Sequence, residues 1–422
     1  MITPRFECSQ TAESVIIKIY CTSVRAGDVE IHVEDTLFTI HINPYFLRLD
    51  FSHSIFVDEE STAKYDPSSG YLTVTLTKKL KSQDFSDLDL LARLLAPRQS
   101  PLIEVICKED ADVADELVSR TNTLSLEHEE LLLGLPGDRP LTTILTQTYG
   151  FLNLHSGYFK HVSHTENEVN ELGPDAETCP VQERRARRWK HEDEKWDEEH
   201  YMADYADDEY IQEFILWKNP RVVANGPFQF TEQENLVLLN LPRKEYLTDA
   251  RQTKNLYLTL TTILFSYAYE TRTTQGDSTP ESAWTICSLT PAFSALDSAP
   301  LQSPYPPFPY PFSPGSHCMH LFLLGKRTIV RCLLETKFIL EHHEVYYVYS
   351  KIWLEDFCAW VQASASDDAL CEIGAALKNL TVSKGSIGWD LEVLEAATRD
   401  VQERDSDSDD ESDDEAEVAR QL

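Results

Sequence analysis

Leu264–Asp297 reads LFSYAYETRTTQGDSTPESAWTICSLTPAFSALD and changes texture partway through. Its front end completes a helical period: in Thr253–Tyr269, Leu256, Leu260, Ile263, Leu264 and Tyr267 recur at the spacing of one helix face. From Ala268 to Leu296 aromatic, charged and small residues mix without clean amphipathicity. That texture marks irregular backbone held by side-chain contacts, either in a core or at a surface. The stretch therefore predicts that the second half of the chain is mainly α-helical.

Working outward, the helical period holds from about residue 126. Thr231-x-x-Glu234 is a capping box opening ENLVLLNL. Asp367 is placed to cap ALCEIGAALKNL, where Leu370, Ile373, Leu377 and Leu380 form a stripe. Trp389–Ala397 reads as a last amphipathic turn or two. Pro300–Pro314 carries seven prolines in fifteen residues and must be a loop with polyproline character. Upstream, residues 1–90 read as strands. Ser14–Ser23 is dense in β-branched residues, Val29–Val33 and Leu37–Ile42 continue the pattern, and Asp66-Pro-Ser-Ser-Gly70 is a turn. Tyr71–Leu76 alternates, with Leu72, Val74 and Leu76 on one face. Short strands with turns between them predict an antiparallel sandwich. Asp84–Leu95 is a short helical candidate capped by Asp84 or Ser86, running into a linker over 91–125. The expected organisation is a multidomain chain: an all-β antiparallel sandwich (1–90), the linker, a mainly α-helical domain (126–400) and a disordered acidic tail (401–422).

Composition limits the function. The 422 residues hold 71 Asp and Glu against 37 Lys and Arg, a formal net charge of −34. A surface this negative does not hold nucleic acid through a broad phosphate interface. It suits a basic partner, or it serves solubility alone. The tail stretch Asp405–Glu415 holds eight acids and no base. Ser406, Ser408 and Ser412 each have an acid three residues on, the pattern of acidophilic casein-kinase-two sites. In Glu192–Glu213, eleven of twenty-two residues are acidic, with Trp196, Tyr201, Tyr205 and Tyr210 among them. On a helix these would array carboxylates along one face, or they would pair with Arg184, Arg185, Arg187 and Arg188. Those arginines also resemble a nuclear import signal. Nine cysteines without CxxC pairs, and no signal peptide or spanning segment, predict reduced thiols and a nuclear and cytoplasmic protein.

No catalytic constellation emerges. There is no Walker loop, dinucleotide fingerprint or GxSxG elbow, and Gly276-Asp-Ser278 reads as a loop. His161-x-x-His164, His342-His343 and Cys318-x-His320 lack the further ligands that a zinc site requires. No enzyme activity, cofactor or metal is expected.

Leu264–Asp297, and within it YAYETRTT and ESAWTIC, resembles the signature stretch of the Shq-type assembly factors of box H/ACA ribonucleoproteins. Lys384-Gly-Ser-Ile-Gly-Trp-Asp-Leu391 resembles the end of the same helical domain. Tyr149-Gly-Phe-x-Asn153 with Ser156-Gly157 resembles its beginning. The N-terminal ITPRFECSQTAESVIIKIYC is similar to that family's opening strand, in a sandwich of the CS type shared with small heat-shock proteins. The resemblance implies a chaperone that binds the free pseudouridine synthase dyskerin as an RNA mimic, blocks aggregation and premature RNA binding, and is released with help from AAA+ ATPases. It implies a monomer that binds neither nucleic acid nor membrane directly. It places the grip on the helical domain, around Tyr267, Tyr269, Glu270, Arg272, Trp284, Trp389 and Asp390. The CS half alone also fits a co-chaperone of the ninety-kilodalton heat-shock chaperone.

Overall fold

The structure is a computed structural model and describes residues 2–22, 29–97, 147–159, 175, 177–220, 228–297, 314–380, 384–386 and 389–409. His161, His164, Ser412 and nearly all of the Pro300–Pro314 loop lie outside them.

The first ninety residues form two antiparallel sheets. Strands β1 (Phe6–Gln10), β2 (Ser14–Tyr20) and β8 (Tyr71–Lys78) pair in that order. The far edge of β8 is shared by β6 (Ile55–Phe56), opposite Thr77 and Lys78, and β7 (Thr62–Asp66), opposite Tyr71 to Thr75. Strands β3 (Glu30–Glu34), β4 (Leu37–Ile42) and β5 (Tyr45–Asp50) make the second sheet. The alternation read from the sequence is the packing. Val15, Ile17 and Ile19 of β2 and Leu72, Val74 and Leu76 of β8 are buried in one cluster with Phe38, Ile40, Leu47 and Leu49 of the second sheet. The turn before β8 closes as Asp66 accepts from the Ser68 amide (3.0 Å) and Gly70 takes φ +72.

The remainder is helical: α1 (Leu91–Leu94), α2 (Val181–Lys195), α3 (Glu198–Ala206), α4 (Glu209–Leu216), α5 (Glu232–Leu239), α6 (Ala250–Thr273), α7 (Ser282–Leu289) and α8 (Pro291–Ser294), then α9 (Pro314–Leu323) and α10 (Lys326–Glu341). After it, α11 (Tyr347–Tyr349) runs through a π-turn, Ser350–Leu354, into α12 (Glu355–Ala363). The last described elements are α13 (Asp367–Asn379) and α14 (Leu391–Asp409). Trp353, Phe357 and Trp360 are buried at the centre, and Phe151 meets Phe357 edge-on at 4.9 Å.

Three local readings change. Asp84–Leu95 is helical only over Leu91–Leu94. Of the two caps the sequence offered, Asp84 is occupied elsewhere, accepting from Gln10 Nε2 (2.7 Å), and the helix begins five residues beyond Ser86. Helix α13 is capped by Ser366, whose Oγ accepts from the Ala369 amide at 3.4 Å, and Asp367 is its first residue. Helix α14 is longer than Trp389–Ala397 suggested and continues past residue 401, where the tail was expected to begin.

The two halves share one hydrophobic cluster running from Phe6 to Leu370. The joint is α1, within the expected linker. Leu91 and Leu94 are buried, and the Ala92 amide donates to Gln362 Oε1 of α12 at 3.2 Å. Around it, Arg327 of α10 forks onto Asp89 (2.5 and 2.7 Å), and Arg5 of the sandwich pairs with Glu232 of α5.

Candidate functional site

The signature stretch is the end of α6, a turn, α7 and α8. Most of its polar side chains face inward. Tyr267 is 2% exposed and its hydroxyl donates to Glu335 Oε2 at 2.5 Å. Ser266 Oγ lies 2.9 Å from Thr290 Oγ1, tying α6 to the start of α8. Glu270 is buried; desolvation raises its pKa, and hydrogen bonds from Ser282 and Thr285 work against that rise. Arg272 is buried too, and desolvation lowers its pKa. Helix α6 ends where the Gly276 amide donates to the Thr271 carbonyl (2.8 Å), with Gly276 at φ +93. Of the residues expected to grip a partner, then, Tyr267, Glu270 and Arg272 are buried, Tyr267 bonding to Glu335 and Glu270 to Ser282 and Thr285. Tyr269 is half-buried, and Trp284, 41% exposed, is the large ring this stretch turns outward.

Trp389 and Asp390 belong to a second, smaller cluster. Trp389 stacks on Trp196 at 4.2 Å, the ring planes nearly parallel. Tyr201 of α3 and Leu391 of α14 complete the apolar centre. Beside them Glu395, 2% exposed in its side chain, accepts from Tyr201 (2.8 Å) and from Lys384 (2.5 Å). Burial works to raise its pKa, but those hydrogen bonds prevail and hold the carboxyl below its ordinary value. Arg399 reaches the Tyr205 hydroxyl at 3.0 Å. Asp390 is exposed.

The acidic run Glu192–Glu213 does not form one carboxylate-lined face. It breaks at Trp196–Asp197 and again at Asp207–Asp208, giving the end of α2, then α3 and α4. Asp197 is spent as the α3 cap, accepting from the Glu199 (2.9 Å) and His200 (3.1 Å) amides. The arginines ahead of it are engaged or buried. Arg185 forks onto Asp297, Arg187 pairs with Asp175 and Glu183, Arg188 pairs with Glu192, and Arg184 is buried.

A polar node that sequence reading missed fixes the segment 147–159. Asp356, 2% exposed in its side chain, faces His155 (3.2 Å), Lys244 (3.1 Å) and the Tyr246 hydroxyl (2.6 Å). Burial pushes its pKa up, but hydrogen bonds from His155, Tyr246 and Lys244 together outweigh this and leave it lowered. Nearby, buried Glu177 accepts from the Tyr149 hydroxyl (2.7 Å) and the Gly157 (3.0 Å) and Phe159 (3.1 Å) amides. No spacing signal could have found either node, because the partners are scattered along the chain. The His342-His343 pair is structural: His343 Nδ1 accepts from the Val345 amide at 3.1 Å, and its ring stacks on Tyr346. Cys318 is buried. Among the described residues no three His, Cys, Asp or Glu side chains gather as a metal site, and no helix is long and apolar enough to cross a membrane.

The chain matches two family descriptions. Residues 3–95 match "SHQ1-like, CS domain", and residues 220–304 and 315–391 match "SHQ1 protein, Shq1 domain". It is 34% identical to Protein shq1 of Schizosaccharomyces pombe, covering 98% of this chain and 99% of that one. It is 31% identical to the SHQ1 homolog of Xenopus tropicalis (96% and 71% covered). Against that of Mus musculus the identity is 30% (96% and 76%).

Proposed function

Since the chain belongs to the SHQ1 family, we propose that it is an assembly chaperone for box H/ACA ribonucleoproteins rather than an enzyme. It binds the free dyskerin-type pseudouridine synthase, covers its RNA-binding face as an RNA mimic, and leaves with help from AAA+ ATPases as assembly proceeds. It acts as a monomer in the nucleoplasm and cytoplasm. The observation that carries this reading is the family match across both halves in order, on a chain of net charge −34. Such a charge steers a basic surface inward from a distance, while specificity rests on a few shaped contacts.

Of the candidate contacts, Trp284, Tyr269, Trp389 and Asp390 are the ones with surface open to solvent. An exposed aromatic such as Trp284 dominates binding energy where a partner covers it. The test is a competition between this protein and guide RNA for purified dyskerin-type synthase over a salt series. RNA exclusion that weakens with salt is expected, and Trp284→Ala should cost about 2 kcal/mol of affinity without lowering Tm. Equal RNA binding with and without the protein would sink the mimicry reading.

The CS half permits a second reading, a co-chaperone of the ninety-kilodalton heat-shock chaperone, though a shared fold does not transfer a function. Titrating the full chain against that chaperone separates the two: a saturable signal supports it, a flat one removes it.

A further inference from the structure

Strand β1 ends its sheet, with β2 on one side and no strand on the other among the described residues. Its ladder shows which backbone groups are left over. The Tyr20 amide donates to the Arg5 carbonyl and the Thr11 amide to the Ser14 carbonyl, both at 2.8 Å. With Phe6 opposite Ile19 and Gln10 opposite Val15, it is Arg5, Glu7, Ser9 and Thr11 that bond to β2. Phe6, Cys8 and Gln10 turn their N–H and C=O groups outward, and these meet no backbone group among the described residues. The edge of β5 differs. There the Phe46 amide donates to the Ile2 carbonyl (2.9 Å), and the Ile2 amide to the Pro44 carbonyl (3.0 Å). Space lies alongside the bare edge. A cleft of about 420 Å³ is lined by β1 from Cys8 to Gln10 together with Asp84, Phe85, Leu88 and Arg327. A smaller hollow lies beside Arg5, Phe6 and Glu7, with the half-exposed Leu236 of α5 on its wall.

The geometry points to this edge as the docking site of an extended basic peptide that joins the sheet beside β1, an interaction separate from the grip proposed for the helical domain. In such an addition main-chain hydrogen bonds supply affinity and alternate side chains supply specificity. Successive side chains of a strand take opposite faces. On β1, Phe6 is buried and Cys8 packs on the core, while Glu7 and Ser9 are exposed. The docked peptide therefore carries apolar residues on the face of Cys8, towards Phe85 and Leu88, and Lys or Arg on the face of Glu7.

The rim decides the sign of the partner's charge. The bases beside the edge are already committed. Arg5 pairs with Glu232, and Arg327 with Asp89 and the Ser86 carbonyl. Lys78 is buried and donates to Gln10 Oε1 and to the Gln83 carbonyl, both at 2.8 Å. Lys18, the cross-strand neighbour of Glu7, is exposed and forms no ion pair with it among the described residues. Two exposed acids are left without a cation: Glu7, and Asp84, which accepts only from the neutral Gln10 amide (2.7 Å). A basic strand satisfies both, and an acidic one adds like charge to them.

The test titrates the full chain with a fluorescent hexapeptide alternating lysine and valine, beside one alternating glutamate and valine, and follows amide exchange along β1. In the free chain the Cys8 amide should exchange about tenfold faster than those of Glu7 and Ser9, and the lysine peptide should slow it. Binding of that peptide should saturate and weaken with salt, and the glutamate peptide should not bind. Cys8→Pro removes an outward amide and no ladder bond, and should weaken binding about tenfold. Because proline could disturb the strand, the pair Glu7→Gln, Asp84→Asn, which keeps shape and hydrogen bonding, should give a similar loss on its own. Slow exchange at Cys8 in the free chain would mean that this chain already covers the edge. Self-association lost in Cys8→Pro would assign the edge to a second copy. Equal binding of the two peptides, or no saturable binding of the lysine one, would remove the basic partner. Any of these results overturns the proposal.

Discussion

Asp356 is the clearest place to read what a single buried side chain contributes here. It is a buried carboxylate shared by a histidine, a lysine and a tyrosine. Asp356→Ala leaves those groups unpaired and should cost roughly 3 kcal/mol, read by chemical denaturation. Its folded pKa is lowered, so its contribution is fully present above the unfolded value and is lost as pH falls through the folded one. Glu395 and Glu234 are lowered too and act in the same direction. Stability should therefore fall steeply below about pH 4, with a shallower fall in Asp356→Asn. At this scale the sequence was partly legible. The stripe Leu256, Leu260, Ile263, Leu264 and Tyr267 is buried as its spacing implied. What spacing could not convey is that Tyr267 has a partner in Glu335, sixty-eight residues away. A polar residue satisfied from so far away looks, in sequence, like one available to a binding partner.

Among the elements, local chemistry was legible wherever it stayed local. The capping box at α5 closes both ways, with Thr231 Oγ1 accepting from the Glu234 amide (3.2 Å) and Glu234 accepting from the Thr231 amide (2.6 Å). It failed where an acid had a longer-range partner, as in Asp84 with Gln10. The α3–α14 pair rests on a small cluster of its own, so it should loosen independently. Trp389→Ala removes the stacked ring and should speed amide exchange across α3 and α14 while the burial of Trp353 and Trp360 is unaffected. Tryptophan fluorescence of the core checks the second half of that expectation. Simultaneous loss of both signals would mean that the small cluster is not separate.

Across the whole molecule, the sequence placed two kinds of domain in order but left open whether they touch. They share a core through Leu91 and Leu94, with Arg327–Asp89 and Arg5–Glu232 at its rim. The reason this was illegible is plain: a linker candidate and a core insert look alike when the socket is supplied from far along the chain. The two halves should unfold in one calorimetric transition. Leu94→Ala, which opens a cavity at the joint, should cost about 2–5 kcal/mol and split that transition. Two resolved transitions in the wild-type protein would contradict a shared core.

The docked α1 also sets a schedule for synthesis. Ala92 and its partner Gln362 are 270 residues apart. At about 5–20 residues per second, a ribosome needs on the order of 15–50 s to make the socket after it has made the plug. Through that interval a finished sandwich would hang from the ribosome with leucines at its exit end, their cover incomplete until the helix bearing Gln362 is made. A protein proposed to shelter another during assembly thus has an interval in its own biogenesis when it is the one in need of shelter.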